Sequence, residues 1–156
     1  MLKSLALGTL VLTFGVGMAQ ANDGPLTSEL SSFVITMDAD GNEVRTASED
    51  VAPGQTVEYV LTYENVSEGN LTGLVLSAPV PADTVFVMDS ASTDVVSTFE
   101  VSADDGATWG VPPLMTQTDA GETAIEVSDY DLVRWVPENA IQSGEAWSFT
   151  YRTSVE

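Results

Sequence analysis

The chain has 156 residues, with 24 Asp and Glu against 4 Lys and Arg, and it contains neither His nor Cys. This composition excludes Ser-His and Cys-His catalysis, His-ligated metal sites and disulfides. The negative charge also makes nucleic acid and anionic lipid headgroups poor partners, because binding to phosphate needs Lys and Arg.

Residues 1–21 have the layout of a secretory signal peptide. Lys3 precedes an uncharged apolar stretch, and Ala19 and Ala21 are the small residues that signal peptidase reads. The stretch is shorter than the roughly 20 residues of a membrane span. We therefore expect an exported protein, periplasmic, on the cell surface or extracellular, with no membrane span after cleavage. Cleavage leaves 156 − 21 = 135 residues and a net charge of 3 − 24 = −21.

The next segment, residues 22–32, is polar and rich in small side chains. We predict a flexible N-terminal arm there, followed by a single domain over residues 33–156. In that domain apolar residues recur with a period of two, and Gly, Pro, Asn and Asp interrupt them. The alternating apolar side chains of the two most regular strands are Val57, Tyr59, Leu61, Tyr63, Trp147, Phe149 and Tyr151.

About eight or nine short strands follow from this pattern, the number typical of a β-sandwich. We expect Trp135 to pack in the core of that sandwich and Asn65 to end a strand by bonding the nearby backbone. The predicted strands cover residues 33–37, 43–47, 55–65, 71–79, 84–88, 94–103, 123–127, 130–136 and 146–154.

Three stretches carry a family resemblance. Residues 51–65 include Val-Ala-Pro-Gly-Gln-Thr-Val-Glu-Tyr and Thr-Tyr-Glu-Asn, residues 78–84 read Ala-Pro-Val-Pro-Ala-Asp-Thr, and residues 132–135 read Leu-Val-Arg-Trp, with Ser-Gly-Glu at 143–145. Together they resemble the conserved-repeat domain of bacterial surface proteins, a family of unknown function. The resemblance implies an immunoglobulin-like β-sandwich in an envelope or extracellular protein, and it implies no catalytic residue. Such domains often occur in tandem, whereas this chain carries one copy.

Residues 102–109 fit the pattern Ser-x-Asp-x-Gly-x-Thr-Trp and resemble the Asp box of sialidases and other secreted β proteins. Asp104 can accept backbone N–H bonds across a turn that Gly106 permits, with Thr108 beside it and Trp109 packed beneath. We predict a structural turn here rather than a sugar site.

Asp38, Asp40 and Asn42 stand at alternate positions, as in a calcium-binding loop, and Glu49 falls at the twelfth position, where such a loop places its bidentate carboxylate. The sixth position, where the bend needs Gly, is Glu43, and no helical pattern flanks the segment. A solvated turn is the favoured interpretation, and a calcium site is the alternative.

The sequence thus favours a structural or interaction module that is not an enzyme and needs no cofactor. Its expected partner is protein, either itself or another envelope component, in a homo-oligomer or filament formed by strand addition through the arm. The alternative is a module that binds glycans or calcium. A hydrolase that uses two carboxylates is the remaining class, because paired carboxylates can act in glycoside hydrolysis.

The charge generates a prediction about stability. Repulsion among the 24 acids opposes the compact state, and salt screens that repulsion. We expect the free energy of unfolding to rise with NaCl concentration. Chemical unfolding of residues 22–156 at low and high NaCl measures it, and equal stability in both would contradict the prediction.

Overall fold

The computed structural model describes residues 24–47 and 50–156. The predicted signal peptide and Glu49 lie outside the described residues. The described part is built of β-strands with one 3₁₀ turn at Val127–Asp129, which confirms the all-β prediction. The strands are β1 Leu26–Met37, β2 Glu43–Thr46, β3 Thr56–Asn65, β4 Leu76–Pro79, β5 Thr84–Phe86, β6 Ser92–Thr93, β7 Ser97–Ser102, β8 Met115–Thr118, β9 Gly121–Ala124, β10 Leu132–Pro137 and β11 Ala146–Val155.

The strands form two packed antiparallel sheets and a separate hairpin. The larger sheet has the order β2-β1-β3-β11-β5, with β6 also paired to β11, and the smaller sheet has the order β4-β10-β7. The hairpin consists of β8 and β9. The sandwich prediction is confirmed.

The immunoglobulin strand order is not reproduced. In an immunoglobulin constant domain the second strand pairs with the fifth, and the last strand belongs to the other sheet. Here the last strand, β11, pairs with β3 over nearly its whole length, from Ala146 opposite Glu64 to Ser154 opposite Thr56. The sandwich is therefore confirmed and its immunoglobulin-like character is not.

The core lies between β3 and β11 on one side and β10 on the other. Period-two alternation turns the predicted faces of β3 and β11 inward, because successive side chains of a strand point to opposite faces. Trp135 of β10 is 1% exposed, and its ring lies 5.4 Å from Phe149 and 6.1 Å from Tyr151, centroid to centroid. The prediction that Trp135 packs in the core is confirmed.

Tyr151 joins the two sheets by a second kind of contact. Its ring stacks on Tyr59 with the centroids 5.0 Å apart. Its hydroxyl donates a hydrogen bond of 2.6 Å to the carbonyl of Pro79, which ends β4 in the smaller sheet. Burial raises the pKa of this hydroxyl, so that it remains a donor.

The turn and the end of β3 follow the sequence closely. Gly54 adopts φ +85°, a left-handed conformation open to glycine, and its N–H bonds the carbonyl of Val155 at 2.8 Å. Asn65 is fully buried, and its side-chain amide donates to the carbonyls of Gly69 and Ile141. Asn65 therefore ends β3 as predicted and also links it to the segment before β11.

The first strand differs most from the prediction. The flexible arm expected over residues 22–32 is wrong for residues 26–32, which form the first part of β1 and pair with β3 from Leu26 opposite Asn65 onward. The reason is register. Val34 of β1 lies opposite Val57 of β3, and the same ladder continues without interruption toward the N-terminus. Residues 26–32 therefore each lie opposite a residue of β3.

Among the other strands, two predictions change most. Of residues 71–79 only Leu76–Pro79 is a strand. Leu71 forms instead an isolated bridge to Ile141. The strand predicted at 123–127 lies at Gly121–Ala124, and its partner Met115–Thr118 was not predicted. Both strands of this hairpin are largely exposed, so they lack the alternation that reveals a half-buried strand.

Replacing Tyr151 by Phe tests the bond between the sheets. The variant keeps the ring but removes the donor to Pro79, so we expect the free energy of unfolding to fall by about 1 kcal/mol, the usual net value of one hydrogen bond. Tyr63→Phe, which removes the hydroxyl of a half-buried tyrosine on β3, is the matched control. Denaturant unfolding measures both, and equal losses would contradict the assigned role of Tyr151.

Candidate functional site

The segment matching the Asp box forms a closed turn. One oxygen of Asp104, Oδ1, accepts hydrogen bonds from the Thr108 amide at 2.8 Å and the Ser102 hydroxyl at 2.9 Å, and Oδ2 accepts from the Thr108 hydroxyl at 2.6 Å. The Trp109 indole N–H donates to the carbonyl of Gly106 at 2.9 Å. Gly106 has φ +81°, and a Cβ there would lie 3.3 Å from the Trp109 ring. The carboxylate of Asp104 therefore stabilises the turn to which it belongs.

Charge and packing around this turn agree with that role. The hydrogen bond from the Thr108 side chain, followed by that from its amide, holds the pKa of Asp104 below its ordinary value. The guanidinium of Arg134 lies 4.2 Å from the centre of the Trp109 ring and also pairs with Glu100 at 2.7 Å. One face of Trp109 is therefore covered and is not open to a sugar ring.

The predicted calcium ligands are placed around the turn between β1 and β2. Asp38 Oδ1 accepts from the amides of Asp40 and Asn42, each at 2.9 Å, and Asn42 Nδ2 donates to Asp38 Oδ2 at 3.2 Å. These bonds, that of the Asn42 amide first, lower the pKa of Asp38. Asp38 and Asn42 are used in the turn, and Glu49 lies outside the described residues. Within residues 24–47 and 50–156, no three acids converge where a metal ion could bind.

A cluster of four charged side chains, which we call the Glu58 cluster, crosses the outer face of the larger sheet. Glu58 of β3 is 4% exposed and lies 2.5 Å from Nε of Arg45 on β2 and 2.9 Å from Nε of Arg152 on β11. Arg152 also donates to both oxygens of Glu43 on β2, at 3.0 and 2.8 Å. Sequence reasoning missed this cluster, because its members are far apart in the chain and meet only through strand register.

The Glu58 cluster fixes where β2 lies. Its ion pairs tie β2 across β1 to β3 and β11, and β2 pairs with β1 only between Val34 and Met37. On the same side of β1, residues 26–33 have no strand partner among the described residues. We call these eight residues the free edge.

The free edge presents backbone groups that are ready to pair. The carbonyl of Pro25 accepts from Val66, next to β3, whereas the amide of Asp38 donates to Asn42, on the β2 side. Alternate residues of a strand direct their N–H and C=O groups to opposite sides. The amides and carbonyls of Ser28, Leu30 and Ser32 therefore point away from β3, into the free edge.

The inner face of the free edge is also incompletely covered. Leu30 lies opposite Leu61 in the ladder, on the face that points to the core. Leu30 is nevertheless 49% exposed, whereas Leu61 is 6% exposed and Val34, further along β1, is 3% exposed. The inner face of β1 is thus covered at Val34, whereas Leu30 lies half in solvent.

The other edge strands of the two packed sheets are shorter than the free edge, and short strands, Pro and covering segments are the ways in which natural sheets protect their edges. The edge strands β5 and β6 have three and two residues, and β4 has four and ends in Pro79. On β7, Val101 pairs with Gly110. The free edge has eight residues, no Pro or Lys, and one charge, Glu29. Among the described residues it is the longest stretch of strand without a partner on one side.

A weak signal for this strand exists in the sequence. Leu26, Leu30 and Val34 share the even positions of β1, which face the core, but Ser28 and Ser32 stand between them. The serines remove the apolar alternation on which the strand prediction depends.

The chain matches no protein-family model, no curated protein and no solved structure. In the part of the chain that the structure describes, no helix is long and apolar enough to cross a membrane.

Changing Glu58 to Gln tests the cluster that holds β2. The side chain keeps its size but loses its charge, so two arginines lose a buried counter-ion. We expect the free energy of unfolding to fall by about 1.5–3 kcal/mol, the usual worth of hydrogen bonds to charged groups. Glu64→Gln removes the same charge from an exposed site on the same strand and should cost little. Denaturant unfolding compares them, and equal effects would refute the importance of the Glu58 cluster.

Proposed function

We propose that the protein is an exported structural module of the bacterial envelope or extracellular matrix that is not an enzyme and associates with further copies of itself by adding strands at the free edge. The observation that carries this proposal is the row of amides and carbonyls that β1 presents to solvent at Ser28, Leu30 and Ser32. An unpaired strand edge of this length is a template for pairing with another chain.

The chemistry of the free edge favours a second copy as the partner. Around Leu30 the side chains are nearly symmetric, with Ser28 and Ser32 at equal distances, so the same edge can face itself. The edge carries one charge, Glu29, whereas the chain as a whole carries 24 acids. Two copies that meet at this edge therefore bring few charges together.

Sequence and contacts support the remaining parts of the proposal. Export rests on the signal-like residues 1–21, and an envelope or matrix location rests on these residues and on the resemblance to the conserved-repeat domain. The absence of His and Cys supports a role without catalysis. The two features that suggested ligand binding, Asp38 and Trp109, are used within turns.

The structure changes how strand addition would work. The residues expected to form a donated arm already belong to β1 of their own sheet. We therefore propose pairing of edge with edge, in which each copy keeps its own strand.

Sedimentation of residues 22–156 tests self-association. We expect the average mass to rise with protein concentration, and to rise further with NaCl, because salt screens the repulsion between two acidic copies. Leu30→Lys places a charge at the exposed inner face of the edge and should weaken association by about tenfold or more, which is about 1.4 kcal/mol or more.

The matched control is Val96→Lys, which adds the same charge at a side chain that is 61% exposed and lies outside the free edge. It should associate at least as well as the parent protein. A parent protein that stays monomeric at high concentration and high salt would refute self-association, and equal weakening by both lysines would refute the free edge as the site.

A further inference from the structure

We infer that two copies pair antiparallel along the free edge, in the register that places Leu30 of one copy opposite Leu30 of the other. The inference rests on the proposed function and adds to it the orientation, the register and the closed form of the assembly.

Strand geometry restricts the choice of register. In an antiparallel pair, directly opposite residues point to the same face of the sheet. Two identical antiparallel strands are related by a two-fold axis perpendicular to the sheet. Because opposite residues must point to the same face, this axis passes beside one residue, which lies opposite its own copy. Within residues 26–33 the registers centred on Glu29 and on Leu30 use most of the free edge.

Charge decides between these two registers. Centring on Glu29 places two carboxylates directly opposite each other on the outer face, and like charges opposite each other are destabilising. Centring on Leu30 moves each Glu29 opposite Ser31 of the other copy. The only charged side chain of the free edge then faces a neutral one.

The Leu30 register also matches the backbone. Ser28, Leu30 and Ser32 direct their amides and carbonyls into the free edge. In this register Leu30 bonds Leu30, and Ser28 bonds Ser32, through about six hydrogen bonds in total. The two half-exposed Leu30 side chains meet on the inner face and shield each other from water.

The neighbouring strand sets the limit of this ladder. Thr46 of β2 already occupies the place beside Val34. In the Leu30 register Leu26 of the other copy would need that place, so pairing ends at residue 27 opposite Phe33. The ladder therefore spans residues 27–33, a window centred on Leu30.

Pairing of this kind closes on itself. The same edge is used in both copies, so the interface is isologous and no free edge of this kind remains. The expected product is a dimer with one continuous larger sheet rather than a filament.

Cysteine substitution tests the register, because the chain contains no cysteine of its own. In the Leu30 register the two Cα atoms of Leu30→Cys lie about 5.5 Å apart, within reach of a disulfide. Two copies of Ser28→Cys are offset by four residues, about 14 Å.

Under oxidised glutathione at high salt, Leu30→Cys alone should form covalent dimers quickly, and Ser28→Cys or Ser32→Cys alone should not. An equimolar mixture of Ser28→Cys and Ser32→Cys should form the mixed dimer quickly. All three positions are even-numbered and lie on one face, so they are matched controls.

Three outcomes would overturn the inference. Rapid cross-linking in a mixture of Ser28→Cys with Leu30→Cys, and slow cross-linking of Leu30→Cys alone, would assign the Glu29 register. Cross-linking at similar rates for every pair, or at none, would exclude a fixed register at this edge. An average mass beyond the dimer would exclude the closed form.

Sedimentation separates this failure from failure of the proposed function. If the parent protein associates and Leu30→Lys weakens it, while the cysteine pattern fails, the register is wrong and edge association stands. If the parent protein remains monomeric, both are wrong.

Discussion

The fold depends on the contact that Tyr151 makes between the two sheets. Its ring stacks on Tyr59 in the larger sheet and touches Trp135 of the smaller one, and its hydroxyl bonds Pro79 at the end of β4. With no disulfide available, the two layers are held by packing of this kind and by single hydrogen bonds. Because β11 pairs with β3 over nearly its whole length, the larger sheet is complete only when residues 146–155 have joined it.

The arginines of the described chain, Arg45, Arg134 and Arg152, are all used in holding strands together. Arg45 and Arg152 converge on Glu58, and Arg134 pairs with Glu100 above the ring of Trp109. Three arginines cannot neutralise the 24 acids of the chain, so the charge stays strongly negative. Two such surfaces repel each other over about 8 Å at physiological salt. A partner that is itself acidic can approach closely only where charge is sparse, and the free edge, with Glu29 alone, is such a place.

The sequence predicted those parts of the structure that depend on local alternation. The faces of β3 and β11, the burial of Trp135 and the turn at Gly54 were all evident, because each follows from neighbouring residues alone. What failed depends on distant pairing. Residues 26–32 look polar and flexible in isolation, yet β3 supplies them with a ready partner. The strand order, the Glu58 cluster and the free edge likewise exist only after β1, β2, β3 and β11 have aligned.

The free edge is itself a consequence of how the chain passes from β2 to β3. These two strands flank β1 on opposite sides, and β3 begins at Thr56, opposite Ile35, near the point where β2 ends at Thr46, opposite Val34. Each further residue of β2 would carry its end about 3.4 Å away from the start of β3, and the chain must also cross about 10 Å of sheet. A short β2 therefore keeps its last residue close to the first residue of β3. Because β2 ends opposite Val34, residues 26–33 have no strand partner on that side within the described part of the chain, so the free edge follows from the connectivity of the fold.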